Sequence, residues 1–203
     1  MCIGILGTGK VGTALGGGWL AAGHDVLYGS RSRRPALHDT ELGAAVSDIA
    51  HTARRAAIVV LATPFEAALD TIAAAGDLSG KLLIDATNPM GATLPRPHRS
   101  GAEMVAAAAG PGAIVVKAFN TMGFETMWDP EVDGRAALGL VAGDHAEAKT
   151  TVLQLARDLG FDAVDAGGLD AARMLENLAE LWVQLAIRQG HGRGVAFALL
   201  RRD

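Results

Sequence analysis

Gly7-Thr8-Gly9-Lys10-Val11-Gly12 constrains this chain more than any other segment. It follows the apolar run Cys2-Ile3-Gly4-Ile5-Leu6 and opens a helical stretch from about Lys10 to Ala22, with Gly23 as its cap. A G-x-G-x-x-G spacing between a strand and a helix has a physical meaning at each glycine. Gly7 permits the tight turn, Gly9 lets the backbone approach a diphosphate, and Gly12 lets the helix pack closely on the strand. The helix start then offers N–H groups and a partial positive charge to an anion. Thr8, Lys10 and Val11 lie within the same turn and are predicted to bind cofactor with the three glycines. Gly16-Gly17-Gly18 inside that helix lowers its intrinsic stability, which implies close packing against a neighbour.

The rest of the chain repeats the strand-then-helix alternation of a parallel sheet. Strands are predicted near 2–6, 25–29, 44–46, 57–61, 81–85, 113–118, 137–142 and 161–165. Ile58-Val59-Val60-Leu61 and Ile114-Val115-Val116 are continuous apolar runs, as strands buried on both faces require. Helix starts are predicted at Thr63-Pro64-Phe65-Glu66, Ser100-Gly101-Ala102-Glu103 and Asp144-His145-Ala146-Glu147, each a cap followed three residues later by glutamate. The predicted fold is α/β: a Rossmann-type doubly wound, mostly parallel sheet with helices on both faces, forming a single domain over 1–203. A last helix near 170–189 carries Met174, Leu178, Leu181 and Leu185 on one face, read as core or dimer contact. A final short strand or apolar tail over 195–200 follows it. This C-terminal part, about 170–203, is expected to complete the substrate side or a homodimer contact.

Composition sets limits on function. A formal charge of −4 over 203 residues gives no basic field for nucleic acid. The single cysteine, Cys2, excludes an intrachain disulfide, and no metal-ligand spacing occurs. No leader pattern precedes the first strand, and no apolar run reaches the ~18 residues of a membrane span, so a cytoplasmic protein is expected.

The second strand, Asp25-Val26-Leu27-Tyr28-Gly29, should end under the adenosine ribose. NAD sites usually place Asp or Glu there; this chain has Ser30-Arg31-Ser32-Arg33-Arg34, with Asp25 at the other end of the strand. Ser30, Arg31, Arg33 and Arg34 suit a 2′-phosphate, which guanidinium groups pair in bidentate geometry, so NADP(H) is the predicted nucleotide.

Further segments share an order with known sequences: Tyr28-Gly29-Ser30-Arg31, Ala62-Thr63-Pro64-Phe65, Asp85-Ala86-Thr87-Asn88-Pro89, Val115-Val116-Lys117-Ala118-Phe119-Asn120-Thr121, Val141-Ala142-Gly143-Asp144 and Asp165-Ala166-Gly167. On these, and over nearly its whole length, the chain resembles the NADPH-dependent deazaflavin (coenzyme F420) reductases, also called F420-dependent NADP oxidoreductases. It is also similar to the N-terminal oxidoreductase domain of the six-transmembrane metalloreductases. The resemblance implies that Ala62, Pro89 and Ala118 adjoin the nucleotide and that Thr63, Pro64, Asn88 and the Asn120-Thr121 turn surround its nicotinamide end. Where those reductases usually carry a His-Thr-Ile-Pro-like turn, this chain has Phe119-Asn120-Thr121-Met122.

The predicted reaction is hydride transfer between NADPH and an F420 or flavin-type acceptor such as FMN or FAD. An apolar slot beside the nicotinamide is expected, walled by Pro64, Phe65, Pro89, Met90, Asn120, Thr121 and Met122. Transfer between two cofactor rings needs positioning more than a base, and no Cys–His set or G-x-S-x-G motif is present. Asn120, Thr121 and Lys117 are the candidate catalytic residues. Lys117 stands in a buried-looking strand, either as a proton donor or snorkelling to the strand edge. Asp85 is read as a loop brace, and Glu176 with Glu180 as a solvated or paired helix face. An NADPH-dependent imine or carbonyl reductase and a non-catalytic NADPH sensor are the alternatives. The proline-bearing loop 88–100 follows a strand at the ligand end of such a sheet.

Overall fold

The computed structural model describes residues 1–31 and 44–202. Among the described residues there are ten strands: β1 (Cys2–Leu6), β2 (Asp25–Gly29), β3 (Ala45–Ser47), β4 (Ile58–Leu61), β5 (Leu82–Asp85), β6 (Ile114–Ala118), β7 (Glu131–Val132), β8 (Arg135–Ala136), β9 (Leu138–Gly143) and β10 (Asp162–Gly167). Seven α-helices accompany them: α1 (Lys10–Ala21), α2 (Ile49–Arg55), α3 (Ala68–Ala75), α4 (Gly101–Ala109), α5 (Phe124–Trp128), α6 (Ala146–Asp158) and α7 (Ala172–Val183). Eight strands form one sheet in the order β10-β9-β6-β5-β4-β1-β2-β3. The six from β3 to β6 are mutually parallel; β9 runs antiparallel to β6 and parallel to β10. This is the doubly wound Rossmann arrangement, with the winding reversing between β1 and β4.

The continuous apolar strands bury alternate residues in two cores. Ile3, Ile5, Ile58, Val60, Ile84 and Val116 meet Ala14, Leu15, Trp19, Val152 and Leu155 of α1 and α6. Val59, Leu61, Leu83 and Val115 meet Ile49, Ala53, Ile72 and Val105 of α2, α3 and α4. Helices therefore cover both faces, the condition under which a parallel sheet needs no polar side.

The triple glycine of α1 has a separate explanation at each residue. A methyl group at Gly16 would stand 2.1 Å from the Tyr28 hydroxyl, one at Gly17 2.7 Å from the Trp128 ring, and one at Gly18 2.5 Å from Leu159. Burial pushes the Tyr28 hydroxyl up to about 12 from its usual 10.

The chain departs from the sequence reading at several element ends. Ser100 caps α4 by accepting from the Glu103 N–H, as expected. The cap of α6 is His145, whose Nδ1 accepts from Ala148, while Asp144 accepts from the Leu169 N–H. Thr63 does not cap a helix: a 3-10 turn, Phe65–Ala67, precedes α3, with Pro64 before it. The hairpin β7–β8 was not anticipated, although Asp133-Gly134 at positive φ is a strong short-turn signal. The segment 195–200 forms no strand; its Val195 carbonyl accepts from the Trp182 indole and its Phe197 carbonyl from the Leu138 N–H. On α7 the buried side is Leu175, Glu176, Ala179 and Trp182. Met174 and Leu181 are exposed rather than core, and Leu178 and Leu185 are half-buried.

Candidate functional site

A cleft of about 510 Å³ opens at the carboxyl ends of β1 and β4, where the winding reverses. Its floor is Gly7, Thr8 and Gly9; Gly29, Ser30 and Arg31 close one side and Ala62, Thr63 and Pro64 the other. Gly7 has φ +125, and a side chain there would strike the Ala62 carbonyl oxygen at 2.3 Å. Gly9 caps α1 with extended backbone, no side-chain cap and no acid in the first turn. A Cβ at Gly9 would meet nothing within 4 Å. The free N–H groups of α1 thus look into open space that fits a diphosphate. Ser30 is fixed by its N–H on the Ser47 carbonyl, 3.0 Å, and Arg31 is exposed beside it. Arg33 and Arg34 lie outside the described residues. Ile49 and Thr71 also line the cleft and carried no sequence signal, being ordinary core types.

The Lys10 ammonium stands over the Phe124 ring, 4.7 Å from the centroid, and lines a separate 380 Å³ cavity with Thr13, Ala14, Glu125 and Trp128. Val11 packs against the core, and Ala118 is buried in β6.

The far end of the site lies at the ends of β5 and β6. Asn88 Nδ2 donates to the Asn120 carbonyl at 2.8 Å, and Asn120 Nδ2 donates to Asn88 Oδ1 at 2.9 Å. Phe119 reaches this geometry at φ +58, with its ring packed edge-on to Trp19 and Phe161. Thr63 Oγ1 and Asn120 Oδ1 are buried without a hydrogen-bond partner among the described residues. Thr121 is 3% exposed beside Asn120. Of the expected slot walls, Met122 is buried in one core and the half-buried Phe65 packs against the other. Pro89 is half-buried, and Met90 is exposed at φ +44, lining a 410 Å³ cavity with Gly91, Glu180, Val183 and Arg188.

Lys117 does not snorkel. It is 0% exposed, with Nζ 2.9 Å from Asp85 Oδ2, 2.5 Å from the Thr87 carbonyl and 3.2 Å from Glu176 Oε1. Asp85 braces the loop as expected, accepting from the Thr87 N–H and hydroxyl. Of the solvated and paired readings, Glu176 follows the paired one: it is buried against Lys117 and accepts from the Gly101 and Ala102 N–H groups. An ammonium in an apolar strand requires a counter-ion, and Asp85 and Lys117 are direct neighbours in the sheet register; that requirement was the available signal. Among the described residues, no helix is long and apolar enough to cross a membrane.

Fold and cleft together define a Rossmann-type dinucleotide-binding protein. The family model "NADP oxidoreductase coenzyme F420-dependent" matches residues 2–89. The F420-dependent NADP reductase of Methanothermobacter thermautotrophicus is 30% identical over 208 residues, covering 90% of this chain and 87% of that protein. A solved structure from Arthrobacter sp. FB24, provisionally assigned as an F420-dependent NADP reductase, superposes with a TM-score of 0.87 at 31% identity, covering 98% of this chain and 99% of that one. Rat metalloreductase STEAP3 is 31% identical over 86% of this chain, which spans 35% of that protein's length. Reductive aminase from Aspergillus terreus, at 23% identity and a TM-score of 0.70, shares the fold. The chain belongs to the coenzyme F420-dependent NADP oxidoreductase family.

Proposed function

We propose that this protein transfers hydride between NADPH and a deazaflavin acceptor of the F420 type. The observation that carries this reading over a carbonyl or imine reductase is the state of Lys117. This candidate proton donor is held by three buried oxygen partners, so the described part of the site favours placement over acid–base chemistry. Family membership favours deazaflavin over FMN or FAD. Bound NADPH supplies the hydride, and the deazaflavin ring accepts it. The protein's own tasks are then distributed along the cleft. The N–H groups around Gly9 hold the diphosphate, Ser30 and Arg31 hold the 2′-phosphate, and Thr63 with the Asn88–Asn120 pair faces the nicotinamide end. The test is oxidation of 4-deuterated NADPH against F420, FMN, FAD and ferric chelates. Deuterium retained on the F420 ring with little oxygen uptake is expected; reduction of a small imine or carbonyl while every ring acceptor stays oxidised would overturn the reading.

Arg31→Ala is expected to weaken NADPH at least tenfold and to leave NADH nearly unchanged. A charge-assisted hydrogen bond made only to the 2′-phosphate is worth about 1.5–3 kcal/mol, roughly ten- to a hundredfold in affinity. Equal losses for both nucleotides would contradict the assignment.

The protein is also proposed to be a homodimer through the C-terminal helix. Met174 (65% exposed) and Leu181 (47%), seven residues apart, leave apolar side chains on the outer side of α7, and Ile187 (50%) is exposed just beyond it. Sedimentation at micromolar concentration is expected to give twice the chain mass; monomer alone would refute it.

A further inference from the structure

The loop 88–100 has two feet, and one buried ion pair holds both. At the first foot, Thr87 gives its N–H and hydroxyl to Asp85 Oδ1 at 2.9 and 2.7 Å. Its carbonyl accepts from Lys117 Nζ at 2.5 Å. At the second foot, the N–H groups of Gly101 and Ala102 donate to Glu176 Oε2 and Oε1 at 3.0 and 3.1 Å. The same Glu176 carboxylate pairs with Lys117 at 3.2 Å. The side chains of Lys117 and Asp85 are 0% exposed and that of Glu176 is 7%. Glu176 comes from α7 and Lys117 from β6, so two elements remote in sequence clamp the loop between them.

The clamp continues into the site. Asp85 and Lys117 are register partners on β5 and β6. Three residues beyond each of them, past the strand ends, stand Asn88 and Asn120, joined by two hydrogen bonds that their side-chain amides donate. The Thr87 peptide, held from both sides, is the link between ion pair and amide pair. Apolar residues would satisfy a doubly covered strand without the desolvation cost of three charges. What the charges add is a fixed direction for the Thr87 peptide and for the helix start at Gly101.

We propose that Lys117 and Glu176 are positioning residues: they staple both ends of the 88–100 loop and so preset the Asn88–Asn120 clasp at the nicotinamide end. This rests on the hydride-transfer reading above for its kinetic consequence, but not for its structural one.

The experiment uses Glu176→Gln, Asn88→Ala and their combination in the full chain. Amide hydrogen exchange, which needs no acceptor, is expected to speed up at least tenfold in Glu176→Gln at Thr87 as well as at Gly101 and Ala102. Acceleration confined to Gly101 and Ala102 would make Glu176 a local helix cap and overturn the proposal. Kinetically, with whichever acceptor the native protein reduces, each single variant is expected to lose at least tenfold in kcat. NADPH affinity, followed by tryptophan fluorescence, is expected to stay within about threefold, because the phosphate contacts lie at the other end. The double variant is expected to be no worse than the weaker single one, the mark of residues acting through one another. Additive losses, or a loss of affinity in place of kcat, would overturn the proposal. Glu176→Asp, one methylene shorter, provides a milder variant in which the same coupled pattern is expected at smaller amplitude. A native protein that reduces no ring acceptor would sink the hydride-transfer reading and leave the exchange result to decide the staple.

Discussion

Lys117→Met is expected to destabilise the fold by about 3–5 kcal/mol, the usual consequence of removing one partner from a buried ion pair. The substitution keeps the length and apolar character of the stem. It removes the cation between Asp85 and Glu176 and leaves two buried carboxylates without their counter-ion. It also strips a donor from the Thr87 carbonyl. Chemical denaturation is expected to show a much lower midpoint with an unchanged slope. A loss below about 1 kcal/mol would mean that the interior around Asp85 relaxes or hydrates freely, contrary to the geometry described.

Gly9→Asp is expected to separate stability from binding. Gly9 has φ −81 and ψ −179, which any residue adopts, and a side chain there meets nothing within 4 Å. Aspartate is a better helix cap than glycine by a few tenths of a kcal/mol, so the fold is expected to melt no lower than the native protein. The nucleotide fares otherwise. The new carboxylate takes the N–H groups a diphosphate would use and sets a negative charge against it. Two charge-assisted hydrogen bonds lost at about 1.5–3 kcal/mol each amount to more than a hundredfold in affinity. NADPH and NADH are expected to suffer alike, unlike the selective loss in Arg31→Ala. Titration calorimetry giving native affinity for either nucleotide would show that the diphosphate lies elsewhere.

The parts of the molecule governed by local rules were legible in the sequence. The central strands β1, β4, β5 and β6 show as mainly apolar runs because burial on both faces leaves little room for polar alternation. The cleft could be read from the Gly7–Gly12 spacing and Ser30-Arg31, since tight turns and anion pairing demand particular residue types at fixed offsets. What failed depended on partners distant in the chain. Glu176 and Glu180 have the spacing of a solvated or paired helix face, and the spacing does not show that Lys117, fifty-nine positions earlier, and the Gly101 and Ala102 N–H groups hold Glu176 in the interior. The antiparallel β9 and the choice of His145 over Asp144 as a cap are likewise decided by what packs nearby.

The three glycines of α1 bear on the order in which this molecule can be assembled. Each costs a helix about 0.8–1 kcal/mol relative to alanine, and a short helix has little intrinsic stability to spare. Trp128 and Leu159, whose side chains occupy the space left at Gly17 and Gly18, are encoded far beyond the nucleotide motif. While the chain is being synthesised, the residues that read as a nucleotide site exist well before the neighbours that give their helix its lasting shape. The first eighty-nine residues contain the recognisable signature; the means of holding it rigid arrives with the second half of the chain.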